Sequence, residues 1–223
     1  ACGQNSPPPA DPAEQDPAVS GALAAPMMSD PDLAAVNAGD AALGGGSPAS
    51  ARIPGPLRSA EAIAAARTEA ERLLGARPAP LPEPKDSGRE ESRAADAGTA
   101  VGLAETIGAV EPACTRLMRY GFGWAARLPS AIPVYPRAAV QEAAGADAPG
   151  CTVRAVVFAS PVPPGDVLAF YYSAGQRAGL AMEHRREGDD SVIEGRKGSA
   201  GFVLYARTGP DGLGAFDLVT RGL

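Results

Sequence analysis

The chain has 223 residues, a formal net charge of −6, and an apolar fraction of 45% to which alanine contributes heavily. Alanine buries little area per residue at about 25 cal/mol per Å², and Gly with Pro make up more than a fifth of the sequence. The acidic balance argues against the clustered Lys and Arg of a nucleic-acid surface, and no apolar run reaches the roughly 18 residues needed to span a membrane.

Residues 1–57 contain no aromatic side chain, and their first basic residue is Arg52, after Asp11, Glu14, Asp16, Asp30, Asp32 and Asp40. A Pro/Ala/Gly-rich acidic stretch of this kind cannot bury enough area to offset its ordering entropy, so it is expected to be a disordered tether. Residues 58–75 carry a helix signature: Ser59 as N-cap, Glu61 in the first turn and Gly75 as the stop. The helix's apolar positions are mostly alanine, with Ile63, Leu73 and Leu74, which suits a partner-docking element or a thin flap. Residues 76–98 are Pro-rich, then charge-rich, and are expected to be a linker. The remainder, 99–223, is expected to be an α+β domain.

That domain opens with a helical pattern over 99–119, through Val101, Ala104, Ile107, Val110, Cys114 and Leu117, which Pro112 kinks or restarts. All aromatic residues lie between Tyr120 and Phe216. Tyr120, Phe122 and Trp124 alternate ahead of an extended segment set by Pro133 and Pro136. CTVRAVVFAS (151–160) is a β-branched strand, and PPGDVLAFYYSAGQRAG (163–179) is a helix stopped by Gly179. Four strands follow at 180–187, 191–197, 202–208 and 214–221, separated by turn residues. The expected fold class is α+β, an antiparallel meander with one packed helix, preceded by helical segments and the tether. Phe158, Phe170, Tyr171, Phe202 and Phe216 are bulky enough to fill the space between helix and sheet.

The usual signatures of chemistry are missing from the sequence. His184 is the only imidazole and lies beside Arg185 and Arg186, so it is expected to be a solvated strand residue, not a catalytic base. There is no G-x-S-x-G elbow, P-loop or dinucleotide fingerprint. The three cysteines lack metal-ligand spacing, so no metal and no cofactor are expected. Alternation groups Arg154 with Val156 and Phe158, Tyr205 with Arg207, and Asp217 with Val219 and Arg221. If these point the same way, they form a helix-free face that is either solvated and cross-paired or a docking surface. Tyr120, Phe122 and Trp124 pose a similar choice between walling off a core and meeting a partner or a membrane interface.

Ala1-Cys2-Gly3, followed by Gln, Asn, Ser and Pro, resembles the mature start of bacterial lipoproteins. The resemblance implies acylation of Cys2, and several acyl chains exceed the two signals that stable anchoring takes. Gly3 rather than Asp after the cysteine implies the outer membrane, on its periplasmic side. An oxidising periplasm then permits a Cys114–Cys151 disulfide, the alternative being two buried thiols. IPVYPRA, FYYSAGQRAGL and FDLVTRG, spread over about residues 112–223, resemble a small domain of uncharacterised exported proteins that brings no known activity. The expected function is a lipid-anchored accessory or structural protein that binds a protein partner in an envelope complex and is not an enzyme. Partner contacts are expected from Tyr120, Phe122, Trp124, Arg154, Tyr205, Arg207, Asp217 and Arg221. The alternative is an exported domain that binds a small ligand.

Overall fold

In the computed structural model, residues 53–223 are described, and they form an eight-stranded sheet with helices on both faces. Residues 1–52, which hold most of the expected tether and the Cys2 lipidation position, lie outside the described residues. Ile53 is buried and its carbonyl accepts from Arg58 Nε, so the tether boundary expected at 57 moves ahead of Ile53.

Helix α1, Ala60–Leu74, is built as its sequence requires. Ser59 accepts from the Ala62 amide, and Gly75 closes the helix in the left-handed region at φ 72°. Its small apolar face, Ala66, Ala70 and Leu74, is buried in the main core. The expected linker is instead part of the folded unit. It contributes the two-residue strand β1, Lys85–Asp86, and helix α2, Arg93–Ala97, which Ser92 caps. Helices α3, Ala100–Thr106, and α4, Pro112–Thr115, are separate, so Pro112 restarts the chain at a helix N-terminus rather than kinking one long helix.

The remaining strands are β2 (Arg119–Tyr120), β3 (Ala139–Ala148), β4 (Cys151–Ser160), β5 (Ala181–Glu187), β6 (Asp190–Lys197), β7 (Ala200–Thr208) and β8 (Gly214–Arg221). A 3₁₀ helix, Phe122–Arg127, follows β2, and helix α5, Pro164–Arg177, joins β4 to β5. The strand order is β1-β5-β6-β7-β8-β4-β3-β2, antiparallel except for the β1–β5 pair. The fold is therefore the expected α+β meander, extended by β3 and by a short strand at each edge.

Period-two alternation divides the core between the two faces. Val156, Phe158, Ile193, Phe202, Leu204, Phe216 and Leu218 face α5 and α1. Phe158 and Phe216 stack with centroids 5.0 Å apart, and Phe170 meets Tyr171 edge-on at 5.1 Å. The aromatics expected to fill this layer do fill it. Val153, Ala155, Val192, Tyr205 and Val219 point the other way, against α2, α3 and α4. Cys114 in α4 and Cys151 at the start of β4 form a disulfide that fastens this second layer to the sheet.

Candidate functional site

A seam of ionised side chains crosses the α2–α3 face of the sheet. Antiparallel register brings Arg185 and Glu187 of β5 beside Asp190, Glu194 and Arg196 of β6, and aligns Tyr205 of β7 with Asp217 of β8. Glu187 is 1% exposed and is gripped from three directions. Arg93 donates to both its oxygens, at 2.6 and 3.1 Å. Arg185 Nε donates at 2.9 Å and the Tyr205 hydroxyl at 3.2 Å. Arg185 also donates to Glu194 at 2.8 Å, and Arg196 holds the other Glu194 oxygen. A second group joins Ser92 to Asp190, and Arg207 to both Asp190 and Asp217.

Burial alone would raise the Glu187 carboxyl, but the hydrogen bonds from Arg93 and Arg185 outweigh it and hold the group at about 2. Asp217 goes the other way: burial raises it above its ordinary range despite Arg207. The Tyr205 phenol is pushed up to about 12, chiefly by burial. The acids of the seam are occupied by arginines, and Glu187 is held far from the near-neutral value suited to proton transfer. Ser92 and Arg93 both enter from the start of α2, so the seam clamps that helix to the sheet. Breaking one partner of such a buried pair costs about 3–5 kcal/mol.

The residues expected to form one helix-free face are divided between two covered ones. Arg154 lies on the α5 side, buried, donating to the Ala146 and Val153 carbonyls at 3.0 and 2.9 Å and to Asp147 at 2.6 Å. Tyr205 and Asp217 are buried in the seam on the other side, with Arg207 half-buried beside them. Arg221, on the same side as the seam, donates to the Ala109 carbonyl at 3.3 Å. Arg154, Tyr205 and Asp217 are thus structural residues rather than contact residues.

The aromatic trio divides as well. Trp124 is half-buried between Arg127 and Arg154, whose guanidinium carbons lie 4.9 and 5.0 Å from its ring centroid. It covers Gly145, where a Cβ would fall 2.8 Å from the ring. Tyr120 and Phe122 stand in solvent at 60% and 67% exposure, next to Leu117, which belonged to the expected buried helix face and is 47% exposed.

His184 is buried rather than solvated. Its Nδ1 faces the Pro82 carbonyl, which can only accept, so Nδ1 carries the proton. Nε2 shares a hydrogen bond with the Ser191 hydroxyl at 2.7 Å. The pair fastens the Pro-rich segment to β5 and β6, and neither residue lines the clefts described next.

Two clefts flank α1. One of about 180 Å³ lies between α1 and α5, lined by Leu73, Pro133, Phe170, Ala174 and Ala178 among others. Leu73 stands over it at 60% exposure. The other, of about 470 Å³, is lined by Pro78, Pro80, Leu81, Ala169 and Tyr135, with the Arg67–Asp166 and Arg77–Glu71 ion pairs on its rim. Burial pushes the Tyr135 phenol up to about 12. Among the described residues no group of three or more His, Cys, Asp or Glu could hold a metal ion, and no helix is long and apolar enough to cross a membrane.

The composition of the seam was visible as alternating Arg and Glu at 185, 187, 194 and 196, a signal that sequence reasoning passed over. The roles of Ser92 and Arg93 had no such signal. Comparison with protein-family models, curated proteins and solved structures finds no match in any of the three.

Proposed function

We propose that this chain is an outer-membrane lipoprotein facing the periplasm, anchored through Cys2, whose folded domain binds a protein partner as an accessory or structural subunit of an envelope complex. The observation that carries the partner reading is the α1–α5 groove. A leucine at 60% exposure stands beside a cleft floored by Phe170, Ala174 and Ala178, which suits an apolar side chain from another protein. The disulfide agrees with an oxidising compartment.

The test is an intact-mass and detergent-partition measurement on protein from its native host, with mass spectrometry of what co-elutes. Acyl mass on Cys2 and a stoichiometric partner are expected. Leu73→Asp should keep the acyl mass and release the partner. A chain without acyl mass that elutes alone would overturn the proposal. A second reading, a small-ligand-binding domain, is favoured by the cleft of about 470 Å³ at Tyr135. A non-covalent small molecule carried through native mass spectrometry would support it.

A further inference from the structure

We infer that the tip formed by Leu117, Tyr120 and Phe122 docks on an anionic lipid surface. These three exposed apolar side chains follow one another at the β2 edge of the sheet. Phe122 is flanked by Gly121 and Gly123, and a Cβ built at either meets nothing within 4 Å, so the aromatic projects on an open tip. Charge identifies the occupant. From 112 to 141 the chain has four arginines, Arg116, Arg119, Arg127 and Arg137, and no carboxylate. Arg127 shares Asp147 with Arg154, and Arg137 pairs with Glu69 at 3.1 Å, so the uncompensated charge beside the tip is that of Arg116 and Arg119, which form no ion pair with a carboxylate among the described residues.

A chain of net charge −6 is repelled by an anionic bilayer in most orientations. Attraction requires it to present this acid-free stretch, where arginines near the surface are drawn to anionic headgroups. Aromatic rings flanked by arginines are suited to the headgroup level, where the ring is buried and the guanidinium stays hydrated. The inference rests on the lipid-anchored reading for bringing the domain to a membrane, but its binding chemistry is independent of the anchor.

The experiment uses the full chain with Cys2→Ser, oxidised and unacylated, in sedimentation with phosphatidylglycerol or phosphatidylcholine vesicles. Binding to phosphatidylglycerol, weakened by salt, is expected. Tyr120→Ser with Phe122→Ser should lower that affinity about tenfold. Arg116→Gln with Arg119→Gln should remove the preference for phosphatidylglycerol. These residues are exposed, and near-ultraviolet circular dichroism checks that each variant folds. No binding to either vesicle, or binding that the variants leave unchanged, would overturn the inference. So would a dimer that the aromatic variant dissociates, which would assign the tip to a second copy. Because the acyl chain is absent throughout, failure here leaves the intact-mass test of the anchor untouched.

Discussion

Glu187 and Asp217 are two buried carboxylates in one seam, and their environments push them in opposite directions. Glu187 accepts from Arg93, Arg185 and Tyr205, and falls from 4.5 to about 2. A lowered folded value means the unfolded chain binds the proton more readily. Its contribution is therefore complete above about 4.5 and fades as pH falls toward 2. Asp217 is raised, mainly by burial, with Arg207 as its hydrogen-bond partner. Its folded form takes a proton first, so its ionised state contributes less stability, and protonation relieves the burial cost. Glu187→Gln should cost about 3 kcal/mol at neutral pH, as breaking a buried pair does, with the difference from the parent shrinking in acid. Asp217→Asn should cost less than half as much, because Arg207 retains Asp190. Urea unfolding at several pH values measures both, and equal losses with no pH dependence would refute the assignment.

Elements are where local sequence and tertiary context compete. Strand β4 was legible because it is rich in β-branched residues, Thr152, Val153, Val156 and Val157, and β8 because Phe216 and Leu218 flank Asp217 after the turn residues Pro210, Asp211 and Gly212. Strand β3, AVQEAAGADA, was not, because an alanine-rich decapeptide favours a helix on intrinsic grounds. Packing reverses that preference. Ala143, Ala144, Gly145 and Ala146 are buried, and their small size lets Trp124 on one face and the alanines of α3 on the other approach closely. Helix α2 was illegible for a related reason: five residues have little helical stability alone, and its clamp, Arg93 on Glu187, spans 94 residues of sequence. Helix α4, four residues long, depends likewise on its bond to β4 through Cys114–Cys151. That bridge closes a separation of 37 residues, worth about 4 kcal/mol in the chain-entropy model. Reductant, or Cys114→Ala with Cys151→Ala, should lower the thermal midpoint and raise amide exchange first in α4 and its neighbour α3. An unchanged midpoint would mean that apolar packing alone holds this layer.

For the whole molecule the decisive feature is how an eight-stranded sheet ends. An open edge offers unpaired amides and carbonyls to another chain. At one end β5 is protected by the segment Pro78–Asp86, where Pro78, Pro80, Pro82 and Pro84 have no N–H to extend the ladder. Only Lys85 and Asp86 pair with β5, in parallel. The rest of the segment is held by side chains: Ser173 of α5 accepts from the Ala79 amide at 2.9 Å, and His184 Nδ1 donates to the Pro82 carbonyl. The chain's only histidine thus has an architectural role, tying the Pro-rich segment to β5 and β6. Ser173→Ala with His184→Ala removes both fasteners and leaves the Ala79 amide, the Pro82 carbonyl and the Ser191 hydroxyl without these partners, at a cost of about 1–3 kcal/mol for each group left unsatisfied. The double variant should stay folded, because the aromatic core between α5 and the sheet is untouched. Its β5 edge should then open, giving faster amide exchange over residues 181–186 and self-association that grows with concentration in light scattering. A double variant that remains monomeric with parent-like exchange would show that the two-residue β1 ladder alone closes this edge.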